Sequence, residues 1–243
     1  MESAGFGILI DCGLPPMTLR KRLRSIGRDW DSVQHIILTH EHADHAGGIT
    51  KLSEKHPALS VYATKETGRA VHRETGFERL RPLVPLDPFD LGPFRVTGLP
   101  VPHDAAGPVA FRIEAGAARF GYLTDLGSIT DTLAERLFDV QTLICEANHD
   151  LDRLEAGPYP SFLKKRVSSD MGHLNNDQCA AFVGRIAEQG HLERVVLAHL
   201  SEVNNTPELA YGAVRAELDA CGAETVSVAC ARRREISDVI DLL

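Results

Sequence analysis

The sequence lacks the features that mark membrane-spanning and secreted proteins. No apolar run approaches the roughly 20 residues that a membrane-spanning helix needs. The N-terminal stretch MESAGFGILIDCGL has no basic region ahead of its short apolar segment, which does not fit a secretory signal peptide. We therefore expect no association with a membrane and a cytoplasmic location.

Cysteine is sparse and shows no pairing pattern. The five cysteines are odd in number, form no CxxC motif and lie mostly in apolar segments. This favours reduced thiols in the core over a disulfide framework. The chain also lacks repeats, low-complexity tracts and linkers. Its 243 residues suit one domain, which is predicted over residues 1–243.

Basic residues are fewer than acidic ones: the sequence has 26 Lys and Arg and 34 Asp and Glu, which gives a net charge of -8. The protein is therefore not coated in positive potential. This charge balance does not exclude nucleic acid as a substrate, since bound divalent cations would change the electrostatic field inside a cleft. A hydrophobic fraction of 43% and a charged fraction of 25% are typical of a globular chain, not of a disordered one.

Short apolar runs alternate with helical patterns along most of the chain. One helix is predicted over 177–189, and a second begins at Thr206 and Pro207 with Leu209, Ala213 and Val214 as its buried stripe. Between residues 94 and 124, strand follows strand without a helix. Strands are predicted at 6–11, 35–39, 59–62, 94–101, 109–114, 119–124, 142–146 and 195–198. The pattern predicts a layered α/β sandwich and not a simple doubly wound sheet.

The densest group of metal-ligand side chains lies in ILTHEHADHAGG. His40, His42, Asp44 and His45 stand within six residues, directly after an apolar run. Neutral imidazoles at alternating positions can converge on one cation, and Asp44 and His45 are offset to serve a second one. A solvated surface loop is the alternative, which four ligand-type residues in an HxHxDH pattern disfavour. The two glycines at the end of the motif permit a tight turn into the next helix.

This pattern resembles that of the metallo-β-lactamase-fold hydrolase superfamily, and the superfamily's remaining motifs follow in order. The third-motif histidine matches His103 in PVPHDA, the fourth-motif aspartate matches Asp125 in YLTDLG, and the fifth-motif histidine matches His199 in VVLAHLS. Each match alone is weak, since a lone histidine is more often structural, but every one follows an apolar run. The resemblance implies a four-layered αβ/βα sandwich with metals at one edge.

A closer resemblance is to the YycJ/WalJ-like branch, a set of small proteins regarded as DNA exonucleases. The shared phrases are IDCGLP, IGRD, ILTHEHADHAGG, VPHDA, ICEANHD, PYPSFLKKRVSSDMGHLNN and LAHLSEVNN, which span nearly the whole chain. Members of the branch open with a strand and a Ser/Gly-rich loop that ends in an Asn. Here only MESAGF precedes the matching segment, so the first strand of the family is expected to be missing. A shortened gene model or a subgroup without that strand would explain this departure.

The resemblance implies two divalent metal ions, for which zinc, manganese and iron are all candidates. One ion would be held by His40, His42 and His103, the second by Asp44, His45 and His199, with Asp125 between them. Two such ions supply a nucleophile from water and clamp the oxygens of a displaced phosphate. The predicted catalytic residues are Asp44, through its place as a ligand, and His173 in MGHLNN, as a phosphate-contacting or proton-donating residue.

Two further clusters complete the predicted site. The first follows a strand and either orients the ligands or serves only the structure; it comprises Glu146, Asn148, His149 and Asp150. The second precedes His173 and is predicted to bind a phosphate backbone, although a short basic run is usually a solvated face. It comprises Lys164, Lys165, Arg166 and Ser168.

Three functions compete at this point. The favoured one is a metal-dependent phosphodiesterase, a DNA exonuclease that acts from 5′ ends, with DNA as its partner; protein partners are unknown. A hydrolase of small esters, thioesters or cyclic phosphodiesters would use the same metals without the basic cluster. A non-catalytic or redox relative would not need the full ligand set. β-Lactam hydrolysis is disfavoured by Asp125, where such enzymes commonly have Cys, and by the missing export signal.

Overall fold

The computed structural model describes residues 1–241 and divides into two compact units. Unit 1 comprises Met1–Pro100 and Ala105–Phe111, and unit 2 comprises Val101–Asp104 and Arg112–Leu243. The single domain over residues 1–243 stays a prediction. In the described part of the chain, no helix combines the length and apolar character needed to cross a bilayer.

Unit 1 contains a five-stranded sheet with strands in the order of the chain, β1-β2-β3-β4-β5. The strands are β1 (Glu2–Ser3), β2 (Phe6–Ile10), β3 (Val33–Ile37), β4 (Ser60–Thr64) and β5 (Leu80–Leu83). The two-residue β1 pairs antiparallel with β2, and the other pairs are parallel. Parallel neighbours require crossover connections, which helices provide here. These helices are α1 (Pro16–Ser25), α2 (Ala43–Ala46), α3 (Ile49–Lys55) and α4 (Lys65–Thr75), with a 3₁₀ turn at Trp30–Ser32.

The core of unit 1 explains why β3 and β4 read as apolar runs. Ile36 and Leu38 have no exposed surface, and Val61 on the neighbouring strand is equally buried. They form one cluster with Trp30 and Leu52, so the strand that leads to the histidine motif is fixed by packing.

The unit also contains an antiparallel hairpin of β6 (Phe89–Leu91) and β7 (Phe94–Pro100). The strand β8 (Val109–Ala115) follows along the chain.

Unit 2 is built on four parallel strands in the order β12-β11-β10-β9. The strands are β9 (Ala118–Leu123), β10 (Thr142–Glu146), β11 (Arg194–Ala198) and β12 (Ser227–Cys230). The helices are α5 (Asp131–Glu135), α6 (Leu151–Ala156), α7 (Ser161–Val167), α8 (Asn176–Ala187) and α9 (Pro207–Ala220). Helices α8 and α9 pack against each other. Because the strands are parallel, their carboxyl ends share one edge, where an α/β protein collects its functional groups.

The predicted α/β fold is confirmed, with two sheets flanked by helices. The eight predicted strands all occur, with ends shifted by at most two residues, and β10 has the predicted bounds. Short strands at the sheet edges, such as β5 and β6, were not predicted. All five cysteines are free, as expected; Cys12, Cys145 and Cys179 are buried, and the other two are half-buried.

Candidate metal centre

Unit 1 carries four predicted ligands on the loop and short helix that follow β3. His40 and His45 are buried, His42 is half-buried and Asp44 is exposed. The ring centroid of His40 lies 4.5 Å from that of His42 and 4.2 Å from that of His45. The alternating histidines of the motif therefore converge, as metal ligation requires.

Asp11, at the end of β2, fixes the orientation of this histidine group. Its carboxylate accepts hydrogen bonds from the Thr39 backbone N–H at 2.8 Å and from His45 Nδ1 at 2.7 Å. The Thr39 hydroxyl lies 2.9 Å from His40 Nδ1. The contacts to His45 and His40 each engage Nδ1 of the ring and leave Nε2 for a metal. This is the usual arrangement of a metal-bound histidine and its supporting partner. Asp11 is not among the site residues predicted from the sequence; the available signal was an acidic residue directly after an apolar strand.

Two glycines allow the chain after β2 to pack directly on the metal-binding segment. A Cβ atom at Gly13 would lie 1.6 Å from the Asp44 carbonyl oxygen, and one at Gly48 would lie 2.3 Å from the Leu14 carbonyl oxygen. The φ of Gly48 is -85°, which any residue adopts. The tight turn predicted from the glycine pair is therefore not the reason for Gly48; close backbone approach is.

Unit 2 gathers four further side chains at the carboxyl ends of its parallel strands. Asp125 follows β9, Glu146 ends β10 and His199 follows β11, while His173 comes from the loop before α8. Each of these four residues offers one ligand atom, and these atoms all lie within 4.8 Å of one another. The structure thus brings His173 and Glu146 into the same cluster as two of the predicted metal ligands.

Glu146 is the centre of this cluster and is completely buried. Its Oε2 accepts hydrogen bonds from the Asp125 backbone N–H at 2.9 Å, from His199 Nδ1 at 2.6 Å and from His173 Nδ1 at 3.2 Å. Its Oε1 accepts the Leu174 backbone N–H at 2.9 Å. Burial alone would raise the pKa of Glu146, but the hydrogen bonds from the two histidines lower it. The carboxylate therefore stays ionised and holds both imidazoles by Nδ1.

His103 is held in a comparable way, by a backbone carbonyl. Its ring is buried, and Nδ1 lies 3.0 Å from the Gly172 carbonyl oxygen. Nε2 lies 3.9 Å from Asp125 Oδ1 and 3.4 Å from Asp104 Oδ1. Burial lowers the pKa of His103, which favours the neutral imidazole that ligates metals.

Three of the residues around these clusters have left-handed backbone conformations. The φ angles are 61° at Asp11, 61° at Asp125 and 55° at His199, and all three follow the last residues of parallel strands. Such conformations cost about 1–3 kcal/mol each and are found where side-chain placement requires them. The side-chain amide of Asn148 donates to the His199 carbonyl at 3.0 Å and so supports this conformation.

The other residues predicted to support the ligands have different surroundings. Asp150 caps α6, since its carboxylate accepts the Arg153 backbone N–H at 2.9 Å. His149 is completely buried, and neither ring nitrogen has a hydrogen-bond partner within residues 1–241. Burial lowers the pKa of His149 to about 4. Of these three residues, Asn148 has a hydrogen bond to a predicted ligand residue.

The basic cluster divides according to the helical positions of its members. The Lys164 ammonium donates to the Glu155 carbonyl, and the Ser168 hydroxyl donates to the Lys164 carbonyl at 3.0 Å. Arg166 Nε donates to Asp104 Oδ2 at 2.6 Å. Lys165 is exposed. Lys165 is therefore the member best placed to meet a phosphate.

The donor sets in both units fit divalent transition metals. Imidazole nitrogens and carboxylate oxygens are the ligands of zinc, manganese and iron sites. In each unit a carboxylate occupies Nδ1 of a histidine, the half-buried Asp11 for His45 and the buried Glu146 for His199. This support is characteristic of metal-binding histidines.

Comparison with known proteins gives consistent matches along the chain. Residues 7–200 match the family described as a beta-lactamase superfamily domain. The chain is 31% identical over 222 residues to exodeoxyribonuclease WalJ of Streptococcus pneumoniae, covering 87% of this chain and 80% of the relative. It is 30% identical over 224 residues to exodeoxyribonuclease YycJ of Bacillus anthracis, covering 88% and 82%. The solved structure of Zn²⁺-bound PqqB from Methylobacterium extorquens superposes with a TM-score of 0.73 at 20% identity, covering 100% of this chain and 86% of that chain.

Proposed function

Because the chain belongs to the metallo-β-lactamase superfamily of metal-dependent hydrolases, in its WalJ/YycJ branch, we propose that it is a two-metal phosphodiesterase that degrades DNA from 5′ ends. The observation that carries this proposal is the 31% and 30% identity to two exodeoxyribonucleases, over 87% and 88% of the chain. The fold and the imidazole–carboxylate clusters support the hydrolytic chemistry.

The metal ligands of this proposal are the seven residues expected from the sequence. One ion is assigned to His40, His42 and His103, the other to Asp44, His45 and His199, with Asp125 shared. When bound, two such ions supply a nucleophile from water at neutral pH and offset the negative charge on the phosphate. The support within each unit is the orientation of the histidines by Asp11 and Glu146.

In this proposal His173 gives a proton to the leaving oxygen of the cleaved phosphodiester. Glu146 holds its Nδ1, which leaves Nε2 as the ring nitrogen for the substrate. The ring is partly exposed, so a bound strand can reach it. A proton donor in this position stabilises the departing alkoxide, an effect typically worth about 10²–10⁴ in rate.

The substrate assignment is tested with a panel assay on the metal-loaded protein. The panel contains 5′-phosphorylated single- and double-stranded DNA, RNA of the same sequence, bis-p-nitrophenyl phosphate and a thioester. We expect nucleotides to be released from DNA, beginning at the 5′ end, and slow cleavage of the small phosphodiester. Turnover of the thioester with no action on DNA would contradict the proposal.

The metal assignment is tested with Asp44→Ala. We expect close to two metal ions per chain in the parent, the loss of one in the variant, and the loss of most DNA hydrolysis with it. Elemental analysis and the DNA assay measure the two effects. Asp87→Ala, which removes an exposed carboxylate from the same unit, is the matched control and should change neither. Two bound ions and full turnover in Asp44→Ala would remove Asp44 from the ligand set.

A further inference from the structure

Helix α7 presents an exposed face with an aromatic ring and two cations. Residues three and four positions apart lie on the same side of a helix, so Phe162, Lys165 and Arg166 share this face. Phe162 is 74% exposed, the largest exposure of any aromatic side chain in residues 1–241. Val167 is buried and anchors the opposite side. We call these three residues the α7 exposed face.

The α7 exposed face is tied to residues of the metal centre in the same unit. Arg166 pairs with Asp104, whose other carboxylate oxygen lies 3.4 Å from His103 Nε2. At the end of the helix, the His173 backbone N–H donates to the Val167 carbonyl at 2.9 Å. Phe162 lies one helical turn from Arg166, about 5–6 Å away. The helix that carries Phe162 is therefore fixed at its last turn by Asp104 and by the loop of the predicted leaving-group histidine.

The charges on this face differ in how strongly they are compensated. The Arg166 guanidinium is matched by the Asp104 carboxylate at 2.6 Å. Lys165, in contrast, has no hydrogen bond or ion pair with any residue of the described chain. An uncompensated ammonium next to an exposed aromatic ring is the combination by which proteins hold single-stranded nucleic acid, with the ring stacked on a base and the cation on a phosphate.

We propose that the α7 exposed face binds a single-stranded segment of the DNA substrate, with Phe162 stacked on an unpaired base and Lys165 on a phosphate. The inference rests on the proposed nuclease function and adds a residue that determines substrate form. A base inside a duplex is already stacked on its neighbours, so Phe162 acts on strands that are unpaired. The enzyme therefore prefers a single strand or an overhang to a blunt duplex.

The test compares Phe162→Ala and Phe162→Trp with the parent, all metal-loaded. Because Phe162 is proposed to stack on one base, Phe162→Ala should raise KM for single-stranded DNA by about 5- to 100-fold, with kcat little changed. Phe162→Trp keeps the ring and should keep the parental KM. Hydrolysis of bis-p-nitrophenyl phosphate should stay within about twofold in all three proteins, because the small substrate has no base to stack. Binding of a phosphorothioate oligonucleotide that resists cleavage gives an independent reading.

Tyr211→Ala is the matched control, since Tyr211 is an exposed aromatic residue on another helix of the same unit. It should leave KM for DNA unchanged. If the parent degrades DNA and Phe162→Ala has the parental KM for single strands, the stacking role is overturned while the nuclease function stands. If the parent neither binds nor degrades DNA, the proposed function fails, and this inference fails with it. A loss of kcat on the small phosphodiester in Phe162→Ala would also overturn it, because that result indicates damage to the metal centre.

Discussion

At the scale of single residues, the chemistry of this protein depends on which nitrogen of each histidine is occupied. Asp11 and Glu146 hold Nδ1 of His45 and His199, and the Gly172 carbonyl holds that of His103. Each imidazole is thereby fixed in orientation, and Nε2 is left for a metal. His173 shares this support but is proposed to donate a proton, so its role can be separated from ligation by experiment.

We expect His173→Ala to lower kcat for DNA by about 10²–10⁴-fold while the metal content stays at the parental value. The reason is that the leaving oxygen would lose its proton donor while the predicted ligands remain. Stopped-flow kinetics and elemental analysis on the same preparation measure both quantities. His191→Ala, which changes an exposed histidine in the same unit, should have no effect. Parallel losses of metal and activity would instead make His173 a ligand.

Glu146→Gln should weaken metal binding by about 10–100-fold and reduce hydrolysis of every substrate. The amide keeps the shape of the side chain, but its nitrogen cannot accept, so a backbone N–H or a histidine loses its partner. Competition with a chromophoric chelator measures the affinity. Glu188→Gln, at an exposed position, is the control. Parental metal affinity in Glu146→Gln would show that the histidines do not depend on this carboxylate.

His149 makes the stability of the fold sensitive to acid. The pKa of this buried histidine lies at about 4 instead of 6.5, so the unfolded chain binds more protons between these pH values. Stability should therefore fall as the pH drops from about 6.5 to about 4, by on the order of 3 kcal/mol from this group. The charges around His149 are those of Glu146, His173 and Asp150.

Urea unfolding of the metal-free protein at several pH values measures this effect, with His149→Leu as the comparison. The variant has no ring to protonate, so its stability should decline less over the same pH interval. Chelation keeps acid release of metal out of the measurement. If parent and variant lose stability in parallel, the ring of His149 is not the source.

The residue-scale predictions from sequence succeeded where the signal was local. His40, His42 and His45 were singled out because they form a short pattern, and the structure places their rings together. Asp11 could not be found in this way, since its partners Thr39 and His45 lie 28 and 34 residues along the chain. Contacts of this kind follow from the pairing of β2 with β3, which a single sequence does not display.

At the scale of elements, α7 shows how helical phase divides a charged run into parts with different surroundings. Three consecutive basic residues read alike in sequence, but successive positions on a helix point about 100° apart. Lys164 turns to the Glu155 carbonyl and Arg166 to Asp104, while Lys165 faces solvent. The predicted phosphate contact of the basic run is therefore expected chiefly at Lys165.

Lys165→Gln should reduce the slope of log K against log salt for single-stranded DNA by about 0.7, the value for one phosphate contact. Lys164→Gln is the matched control and should leave the slope unchanged, because its ammonium is engaged within the protein. Fluorescence anisotropy over a salt titration, with an oligonucleotide that resists cleavage, measures both. Equal slopes for Lys165→Gln and the parent would exclude a phosphate contact at this residue.

Helix α9 shows how the buried face of a correctly predicted helix can be predicted only in part. Its start at Thr206 and Pro207 was predicted and is observed, with the Thr206 side chain accepting the Leu209 backbone N–H. Val214 is buried as predicted, but Leu209 is 40% exposed and Ala213 is half-buried. Ala210 and Leu218 complete the buried stripe. A rotation of one residue is enough to make this change. The phase is set by packing against α8, which sequence periodicity alone does not contain.

The strands that sequence analysis missed share short length and exposed residues. β5 reads LRPL and β6 reads FDL, so neither has the continuous apolar run that identified β3 or β11. Edge strands are stabilised by backbone pairing to one neighbour and tolerate proline and charge. Their existence therefore depends on the strand beside them, and a local pattern does not reveal it.

At the scale of the whole molecule, a net charge of -8 disfavours long-range attraction of the proposed polyanionic substrate. Arg112 pairs with Asp139 and Glu114, and Arg20 pairs with Asp29, so these guanidinium groups are already matched by carboxylates. Long-range attraction of DNA is then weak, and binding depends on short-range contacts and on bound cations. The acidic composition read from the sequence is compatible with the proposed substrate for this reason.

The left-handed backbone at Asp11, Asp125 and His199 also limits how this protein can evolve. Glycine adopts such φ angles without steric cost, so replacing any of the three relieves local strain. Each replacement also deletes a side chain that is proposed to bind a metal or to orient a metal ligand. Ala4, with a φ of 50° and no such role, can change to glycine without this penalty. Selection for heat resistance alone would therefore favour glycine at these three positions, whereas selection for catalysis would keep the side chains.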